Sequence, residues 1–497
     1  MNVVATQNLV ESRRVLWTFG VVTITLFLVT NLPWELDDYD QAQQAFTSFE
    51  MVKEGHWFYQ RVPQLRNVPA QKPPLVGWTS AVLFALTRSW DISWRLPSFL
   101  AAVAILILLL WMATSAYGTA PGAVAFSAFG LNLLSVRLAT LVRTDMPLAL
   151  VVFLSGVLIW KKIRNREEWA AYDQLLMFIL LSAALWIKGP TVYAFLLPGI
   201  GLFEWRARKE NIGHAWCGWW PWAASLAGFL LWVVGGLLFV HGFWHEVVLR
   251  EFLGRFSGTV HRAQPVYFYL TQLLQKFAPW SVLMILIAAR STQVKGFKVG
   301  KVVRQIPPDV FWLMCWSLGG LVVMSLIPSK RTDRIFPVIP PLCLLLAAQI
   351  AQGLRDEKHA KRIMQWSAFS MLFAAAFVGI YTFSKAATGY RYDRDSLVAF
   401  ARAVRRQADA HHWRYEVISL KKGEDHGMLL YMQKPHFITP DDAIAEWNRG
   451  AVDALVVPAE VGLPLVSELK HASLSDLKVV QQKSEGGMSY VFLTRQE

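Results

Sequence analysis

One long uncharged stretch decides the fold class of this chain: residues 96–136 read LPSFLAAVAILILLLWMATSAYGTAPGAVAFSAFGLNLLSV. The stretch Leu96–Val136 contains no Lys, Arg, Asp or Glu, and a membrane-spanning helix needs only about 20 apolar residues. Glycine and proline interrupt it at Tyr117–Gly122, which is typical of a turn. The stretch therefore predicts two spanning helices joined by a tight turn.

The composition of the whole chain agrees with a membrane protein. Of 497 residues, 54% are hydrophobic and 17% charged, below the roughly 25% charged residues of a soluble domain. This excludes a disordered chain, a disulfide scaffold and an ordinary cytosolic enzyme. The three cysteines lie in apolar runs and indicate neither a disulfide framework nor a metal cluster. The net charge of +14 fits basic loops at an anionic membrane surface, so we expect membrane lipids and no nucleic acid as partners.

Further apolar segments predict the remaining spans, at Val15–Trp34, Met146–Trp160, Leu175–Trp186, Thr191–Phe203, Trp219–Val240, Trp280–Ala289, Val310–Ile327, Phe336–Leu354 and Met364–Phe383. Four basic clusters follow spans, at 161–166, 206–209, 290–304 and 355–362, and the positive-inside rule places them in the cytoplasm. All four clusters lie on the cytoplasmic side only if the short segment Pro73–Leu86 does not cross the bilayer. We therefore predict a juxtamembrane or re-entrant helix there, a cytoplasmic N-terminus and 11 spans.

The end of the chain changes character from about Tyr390. An amphipathic helix is predicted at Ser396–Ala408, followed by short β-rich runs at Tyr415–Leu420, Met428–Met432, Ala454–Pro458 and Ser489–Thr494. We predict two domains: a transmembrane domain at 1–388, whose external loop 33–95 contains juxtamembrane helices, and a small external α/β domain at 389–497.

Four charged residues stand out in the loops and turns that this topology places outside. Asp40 and Asp145 fit either a carboxylate that accepts a proton from an attacking hydroxyl or a helix N-cap. Lys72 and Lys188 precede Pro-Pro and Gly-Pro, which hold each lysine in a rigid break. Snorkelling to the interface explains either lysine alone, but two such turns on one face favour a binding role.

Two more basic segments lie on the same predicted face: the loop containing Arg250, Arg255 and Arg262, and the turn Ser329–Arg334. External cations oppose the simple topology rule, and an anionic ligand such as a phosphate explains them. The sequence contains no ATP-binding motif. The energy for a reaction would then be carried by the substrate, as in a lipid-phosphate-activated donor.

Several motifs carry a resemblance to a known family. Asp40-Gln41-Ala42, Gly55-His56-Trp57 and Gln71-Lys72-Pro73-Pro74-Leu75-Val76-Gly77-Trp78 resemble Asp-Glu-Ala, Gly-Asp-Trp and Glu-Lys-Pro-Pro-Leu-x-x-Trp of the GT-C glycosyltransferases. The similarity is to the bacterial family that includes the aminoarabinose transferase acting on lipid A and its protein O-mannosyltransferase relatives. Shorter matches follow in order at Arg95–Ser98, Thr144–Pro147, Lys188–Pro190, Leu249–Phe256, Ser329–Lys330 and Pro337–Pro341.

The resemblance implies an all-α polytopic membrane enzyme of GT-C type, with about 11–13 transmembrane helices, in the bacterial inner membrane. It would transfer a sugar, with inversion, from a polyprenyl (undecaprenyl) phosphate donor to an envelope acceptor such as lipid A or lipopolysaccharide, at the periplasmic face. Asp40 would be the catalytic or acceptor-positioning acid and Asp145 a second acid of the site. The substrate-binding residues would be Lys72, Lys188, Arg250, Arg255 and Lys330. Lys188 has an alternative role, in which it only orients its loop.

The sequence departs from the family at two glutamates. Gln41 and Gln71 stand where the family has Glu, and a neutral amide is a poor ligand for a divalent ion. We therefore expect no required metal or other cofactor. Arg334 lies near the place of an expected tyrosine, which favours a more anionic acceptor, although a glycan or protein acceptor stays open.

Two other functions remain open from the residues alone. A transporter or flippase of a lipid-linked sugar places ionisable residues near the midplane and often has repeated halves, whereas here the charges lie at the rim and no repeat is evident. A membrane scaffold with an external binding domain does not explain the rigid lysine turns.

Overall fold

The computed structural model describes residues 13–36, 39–61, 69–210, 212–254, 263–293, 305–393, 396–418, 426–459, 469, 471–480 and 489–495. Most of them are helical. The helices before residue 240 are α1 (Arg13–Val29), α2 (Tyr39–Glu54), α3 (Leu75–Thr87), α4 (Trp90–Ser93), α5 (Leu96–Tyr117), α6 (Thr119–Gly130), α7 (Leu133–Leu138), α8 (Asp145–Asn165), α9 (Ala171–Lys188), α10 (Thr191–Glu210) and α11 (Trp220–Phe239).

The second half of the chain continues as helices and ends with a small sheet. Its helices are a π-helix (Trp244–Leu253), α12 (Phe268–Lys276), α13 (Trp280–Gln293), α14 (Pro308–Leu326), a 3-10 helix (Thr332–Val338), α15 (Ile339–Leu354), α16 (Glu357–Asp393), α17 (Leu397–His411), α18 (His426–Tyr431) and α19 (Pro440–Asn448). The strands are β1 (Tyr415–Val417), β2 (Ala454–Pro458), β3 (Ala472–Val480) and β4 (Ser489–Arg495).

The structure confirms a multi-pass membrane fold. In the part of the chain that is described, seven helices are long and apolar enough to cross a membrane, or eight if the bent pair Phe268–Lys276 and Trp280–Arg290 forms one span. The shorter apolar helix α3 confirms the helix predicted at Pro73–Leu86. Its length of about 20 Å, at 1.5 Å per residue, is less than the roughly 30 Å of a hydrocarbon core. The total of 11 spans and the position of α3 along the surface stay predictions.

The turn predicted inside the uncharged stretch is confirmed. Helix α5 ends at Tyr117 and α6 begins at Thr119, with Gly118 between them at a φ of 100°, a value that L side chains rarely adopt. A Cβ at Gly122 would collide with Thr114, so the two helices can cross this closely only because residue 122 is glycine. The end of the stretch differs from the prediction: Asn132 caps a separate short helix, α7, by accepting from the backbone N–H groups of Leu134 and Ser135.

The small C-terminal sheet has the strand order β1-β2-β4-β3. Strands β1 and β2 are parallel, because α18 and α19 cross between them, whereas β4 is antiparallel to both neighbours. The amphipathic helix predicted at Ser396–Ala408 is confirmed as α17, with Ser396 as its N-cap. The runs at Tyr415–Leu420, Ala454–Pro458 and Ser489–Thr494 fall on β1, β2 and β4, while the more polar β3 was not predicted.

One predicted strand is wrong. The run Met428–Met432 is helical, as most of it lies in α18, which packs against α2 and α17. A short apolar run has no periodicity that separates a buried strand from a buried helix, and Met and Leu both favour helices.

The C-terminal region shares a core with the preceding helices. Phe46 and Phe49 of α2 belong to the same buried cluster as Phe400 of α17 and Tyr431 of α18. The single helix α16 runs through the proposed domain boundary at 388 and 389. The two-domain division therefore stays a prediction.

Close contacts between glycines set the distance between α10 and α14. A Cβ added at Gly199 would lie 2.8 Å from the Trp316 Cα atom, and one at Gly319 would lie 2.5 Å from the Gly199 backbone nitrogen. These neighbours are backbone atoms, which cannot swing aside. Small residues bring apolar helices together in this way because packing, rather than water exclusion, drives their association within a bilayer.

We expect Gly199→Ala to destabilise the protein by about 1–3 kcal/mol, because the added methyl group forces the two backbones apart. The matched control is Gly201→Ala in the same helix, where nothing lies within 4 Å of the added Cβ. That control is expected to keep or gain up to about 1 kcal/mol through helix propensity. Thermal unfolding of the purified variants in detergent measures the difference, and equal midpoints for both variants would contradict the packing argument.

Candidate functional site

Three of the predicted charged residues lie at helix ends. Asp40 is in the first turn of α2, Asp145 is the first residue of α8, and Lys188 is the last residue of α9. A carboxylate is favoured at a helix N-terminus and a cation at a C-terminus, because the helix dipole has the opposite sign there. Neither Asp145 nor Asp40 occupies the N-cap itself: Thr144 is the N-cap of α8, and Asp40 lies inside α2 after Tyr39.

Lys188 and Asp145 form a buried ion pair. The Lys188 ammonium donates to Asp145 Oδ1, and both side chains are about nine-tenths buried. The pair connects the C-terminus of α9 to the N-terminus of α8. Gly189 follows at a φ of 69°, and a Cβ there would lie 2.7 Å from the Phe252 ring. Lys188-Gly189-Pro190 is thus the rigid turn that the sequence predicts, and the π-helix packs directly on it.

Asp40 lies among three cations. Arg331 donates to Asp40 Oδ2, and the Arg143 Nη2 atom lies 3.8 Å from the same oxygen. Burial by itself raises the pKa of Asp40, but the positive charge of Lys72 opposes this most strongly. With the charges of Arg331 and Arg143 added, the pKa falls from 3.8 to about 2. The carboxylate is therefore ionised at every physiological pH.

Arg143 connects Asp40 to a third acid of the site, Asp333. Its Nη1 atom donates to Asp333 Oδ2 at 2.6 Å, and both side chains are buried. Arg137 approaches the other oxygen of Asp333 at 3.9 Å. Lys72 lies within electrostatic range of both Asp40 and Asp145. The structure thus brings Asp40, Lys72, Asp145 and Lys188 together, as the sequence predicts.

Lys330 lies beside this network with a different environment. It is 6% exposed, and its ammonium group donates to the backbone carbonyl of Gln264 at 2.9 Å. Burial lowers the pKa of Lys330. Among the described residues, Lys330 donates to this neutral acceptor and not to a carboxylate. A lysine held in this way has further N–H groups with which to bind an anion.

Arg250 is more peripheral than predicted. It pairs with Glu246 one helical turn earlier, at 2.9 Å, and its side chain is about half exposed. Its charge also acts on the Tyr39 phenol, whose pKa burial raises and Arg250 partly lowers. Arg250 therefore lies within electrostatic range of the start of α2. Arg255 lies outside the described residues.

Sequence reasoning missed Arg143, Arg331 and Asp333 as site residues. All three are in turns that it singled out, next to Asp145 and Lys330. The sequence feature that indicates these residues is the high density of charge in the two turns. Spacing along the chain cannot show which side chain of one turn reaches the other turn.

The two glutamines that replace family glutamates are neutral amides, which are poor ligands for a divalent ion. Gln41 is buried, and its amide oxygen accepts from the Val142 backbone N–H at 3.3 Å. Within the described ranges, no group of three or more His, Cys, Asp or Glu side chains could hold a metal ion. The residues present do not fit a divalent ion, and the absence of a required metal stays a prediction.

His56, in the motif that reads Gly-Asp-Trp in the family, contacts a buried acid. Its Nδ1 atom lies 2.9 Å from Glu50 Oε1, while the Arg61 backbone N–H donates to Glu50 Oε2. Burial raises the pKa of Glu50 to about 7, although both contacts oppose the rise. These contacts fix the segment after α2.

No family model matches the chain. It is 26% identical over 363 residues to the undecaprenyl phosphate-alpha-4-amino-4-deoxy-L-arabinose arabinosyl transferase of Pectobacterium carotovorum, with 69% of this chain and 60% of that protein covered. It is 27% identical over 376 residues to transferase 1 of the same name from Sodalis glossinidius, with 68% and 59% covered. The match thus spans about 60% of the length of these relatives.

The fold comparison covers nearly the whole chain. The crystal structure of ArnT from Cupriavidus metallidurans bound to undecaprenyl phosphate aligns with a TM-score of 0.64, covering 96% of this chain and 97% of that one at 17% identity. Its apo form aligns with a TM-score of 0.60. The predicted resemblance is therefore confirmed: the chain has the fold of ArnT and is similar in sequence to the aminoarabinose transferases that use undecaprenyl phosphate as carrier.

Proposed function

We propose that this chain is an integral membrane glycosyltransferase that moves a sugar from a polyprenyl phosphate, such as undecaprenyl phosphate, to an envelope acceptor of the lipid A type. The transfer takes place with inversion at the periplasmic face of a bacterial inner membrane, and the N-terminus is cytoplasmic. The observation that carries the proposal is the excess of positive charge around Asp40. The likeness to transferases with this carrier in their names, and the fold of ArnT, support it.

Among the described residues, the cations of the site outnumber its carboxylates. The described carboxylates are Asp40, Asp145 and Asp333, whereas the described cations are Lys72, Arg143, Lys188, Lys330 and Arg331. Positive charge that is partly removed from water is costly without an anion, so the arrangement favours a ligand that brings negative charge. A phosphate accepts hydrogen bonds from several Lys and Arg side chains at once.

Lys72 and Lys330 bind the donor phosphate in this proposal, together with Arg255. Within the described ranges, Lys330 donates to a backbone carbonyl and to no carboxylate, so it can turn towards an anion without breaking an ion pair. Arg331, adjacent in the chain, then contacts the phosphate or Asp40. When the sugar–phosphate bond breaks, the oxygen of the departing lipid phosphate gains negative charge, and these cations stabilise it.

Asp40 acts on the acceptor. The acceptor hydroxyl attacks the anomeric carbon, a new carbon–oxygen bond forms as the bond to the phosphate oxygen breaks, and Asp40 takes the hydroxyl proton. A single displacement of this kind inverts the anomeric centre. With a pKa of about 2, Asp40 is a weak base in the absence of substrate. Donor binding neutralises the cations that depress this pKa, so the phosphate that is about to leave also strengthens the base.

Asp145 and Lys188 have a supporting role, because they neutralise each other. Their pair holds two helix ends in register beside Lys72. A glycolipid phosphate on the acceptor fits the remaining positive charge of the site. A transfer assay that offers lipid A, glycan and protein acceptors distinguishes among these three classes.

Asp40→Asn is expected to lower kcat for transfer by about 10²–10⁴-fold, because the amide cannot accept the proton. The assay uses purified protein in detergent, radiolabelled undecaprenyl-phosphate sugars beginning with 4-amino-4-deoxy-L-arabinose, and lipid A, glycan and protein acceptors. Asp441→Asn, an exposed carboxylate on α19, is the matched control and should keep full activity. Equal turnover by Asp40→Asn and wild type would remove Asp40 from the mechanism, and lipid scrambling without label transfer would favour a flippase.

The acid limb of the pH–rate profile should move when the donor binds. The profile of kcat/KM reports the free enzyme, where Asp40 is ionised down to about pH 2, whereas that of kcat reports the complex. Burial by itself raises the pKa of Asp40, so a bound phosphate that offsets the charge of the cations should raise this pKa. We therefore expect kcat to fall with decreasing pH at a higher pH than kcat/KM does. Coincident acid limbs, or the reverse order, would contradict the coupling.

Lys188→Met is expected to destabilise the protein by about 3 kcal/mol, because it leaves the buried Asp145 without its ion-pair partner. The double variant Asp145→Asn with Lys188→Met removes both charges and should recover most of that loss. Thermal unfolding in detergent compares the two variants. A double variant no more stable than Lys188→Met would show that the pair does not hold α8 and α9 together.

A further inference from the structure

A basic cavity lies away from the candidate transfer site. It has a volume of about 810 Å³ and opens between α3, α4 and α17. Four arginines line it, one at the end of α3 and three on α17: Arg88, Arg402, Arg405 and Arg406. None of the residues assigned above to the donor phosphate or the acceptor proton lines this cavity.

The cavity keeps a net positive charge. Arg402, Arg405 and Arg406 lie at helical spacing, so they share one face of α17. Two carboxylates also line the cavity, and their contacts are loose: Asp91 lies 3.7 Å from Arg402, and Asp409 lies 3.5 Å from Arg405. Four arginines against two carboxylates leave an anion-binding surface.

The opposite wall is aromatic. Phe84 and Trp90 stack with their ring centroids 3.8 Å apart, and Trp94 stacks on Trp90 at 5.4 Å. The Arg402 guanidinium lies 4.8 Å from the Tyr431 ring, in the geometry of a cation–π contact. This wall is part of the buried cluster that joins the C-terminal region to α2, so the arginines face a fixed apolar surface.

Helix α3, which ends at the cavity, has exposed apolar side chains typical of a lipid boundary. Arg88 directly follows α3, on which Leu86 and Val82 are 77% and 60% exposed. Ile92, beyond Arg88, is also exposed. Exposed aliphatic side chains ending at an arginine are expected where hydrocarbon meets headgroups. A ligand at this place would have an anionic group for the arginines and an apolar part for α3.

We propose that this cavity binds the phosphate of an anionic membrane lipid, with its acyl chains along α3 and its phosphate on Arg405, Arg406 and Arg88. The phosphate chemistry is shared by glycerophospholipids, phosphorylated glycolipids and free phosphate. The exposed apolar side chains of α3, which ends at the cavity, favour a lipid as the source of the phosphate. Lipid binding here is independent of the transfer reaction. The bound lipid would connect the C-terminal region to the membrane surface.

Native mass spectrometry of the full chain in detergent tests the proposal by titration with dioleoylphosphatidylglycerol. We expect Arg405→Gln with Arg406→Gln to weaken the binding of this lipid about 25-fold, at about fivefold for each arginine at a membrane surface. The matched control Arg449→Gln removes an exposed arginine directly after α19 and should bind as wild type does. Thermal unfolding verifies that both variants are folded. Equal affinity of the double variant and wild type would overturn the proposal.

Two further arms identify the source of the phosphate. Zwitterionic dioleoylphosphatidylcholine should bind much more weakly, while a monophosphorylated lipid A should compete with phosphatidylglycerol. If inorganic phosphate displaced the lipid at equal concentration, the cavity would be a site for soluble anions and the lipid assignment would be wrong. A photoactivatable phosphatidylglycerol should label peptides 84–94 and 397–411 of both wild type and Asp40→Asn, and labelling confined to other segments would also overturn the proposal.

Discussion

The structure depends on buried charges that must find partners at helix ends. Asp145 with Lys188, and Asp333 with Arg143, are ion pairs whose members come from different helices or turns and are nearly inaccessible to water. A charge in such a place is tolerated only when it is paired and hydrogen-bonded. These pairs therefore hold the starts and ends of α8, α9 and the 3-10 helix in one arrangement, and Arg143 extends the arrangement to Asp40.

The same constraint explains how the site can be reactive. Among the described residues, cations outnumber carboxylates around Asp40, and their charge depresses the pKa of this carboxylate. In the proposed mechanism, an anionic ligand would offset that charge and raise the pKa. Binding of a phosphate and readiness of the base are then two consequences of a single electrostatic balance, which suits a reaction whose leaving group is itself a phosphate.

The C-terminal region belongs to this arrangement through α2. The helix that begins beside Asp40 continues to Phe46 and Phe49, which pack in the same buried cluster as Phe400 and Tyr431. Trp90, Trp94 and Tyr431 of that cluster also line the basic cavity. A lipid bound there would contact α17 of the C-terminal region and α3 at the same time, without contacting the transfer site.

Local features of the sequence predict the membrane fold, the break at Gly118, helix α17 and most of the candidate site, because apolar length, glycine and a dense run of charge act locally. They also led to Asp40, Lys72, Asp145 and Lys188 through motifs in separate turns. The folded chain was needed to show that Met428–Met432 is helical, that Lys188 pairs with Asp145, and that Arg143 and Arg331 reach Asp40. A short apolar run takes its conformation from the elements it packs on, and the partner of a buried charge is selected by contacts between segments far apart in the chain.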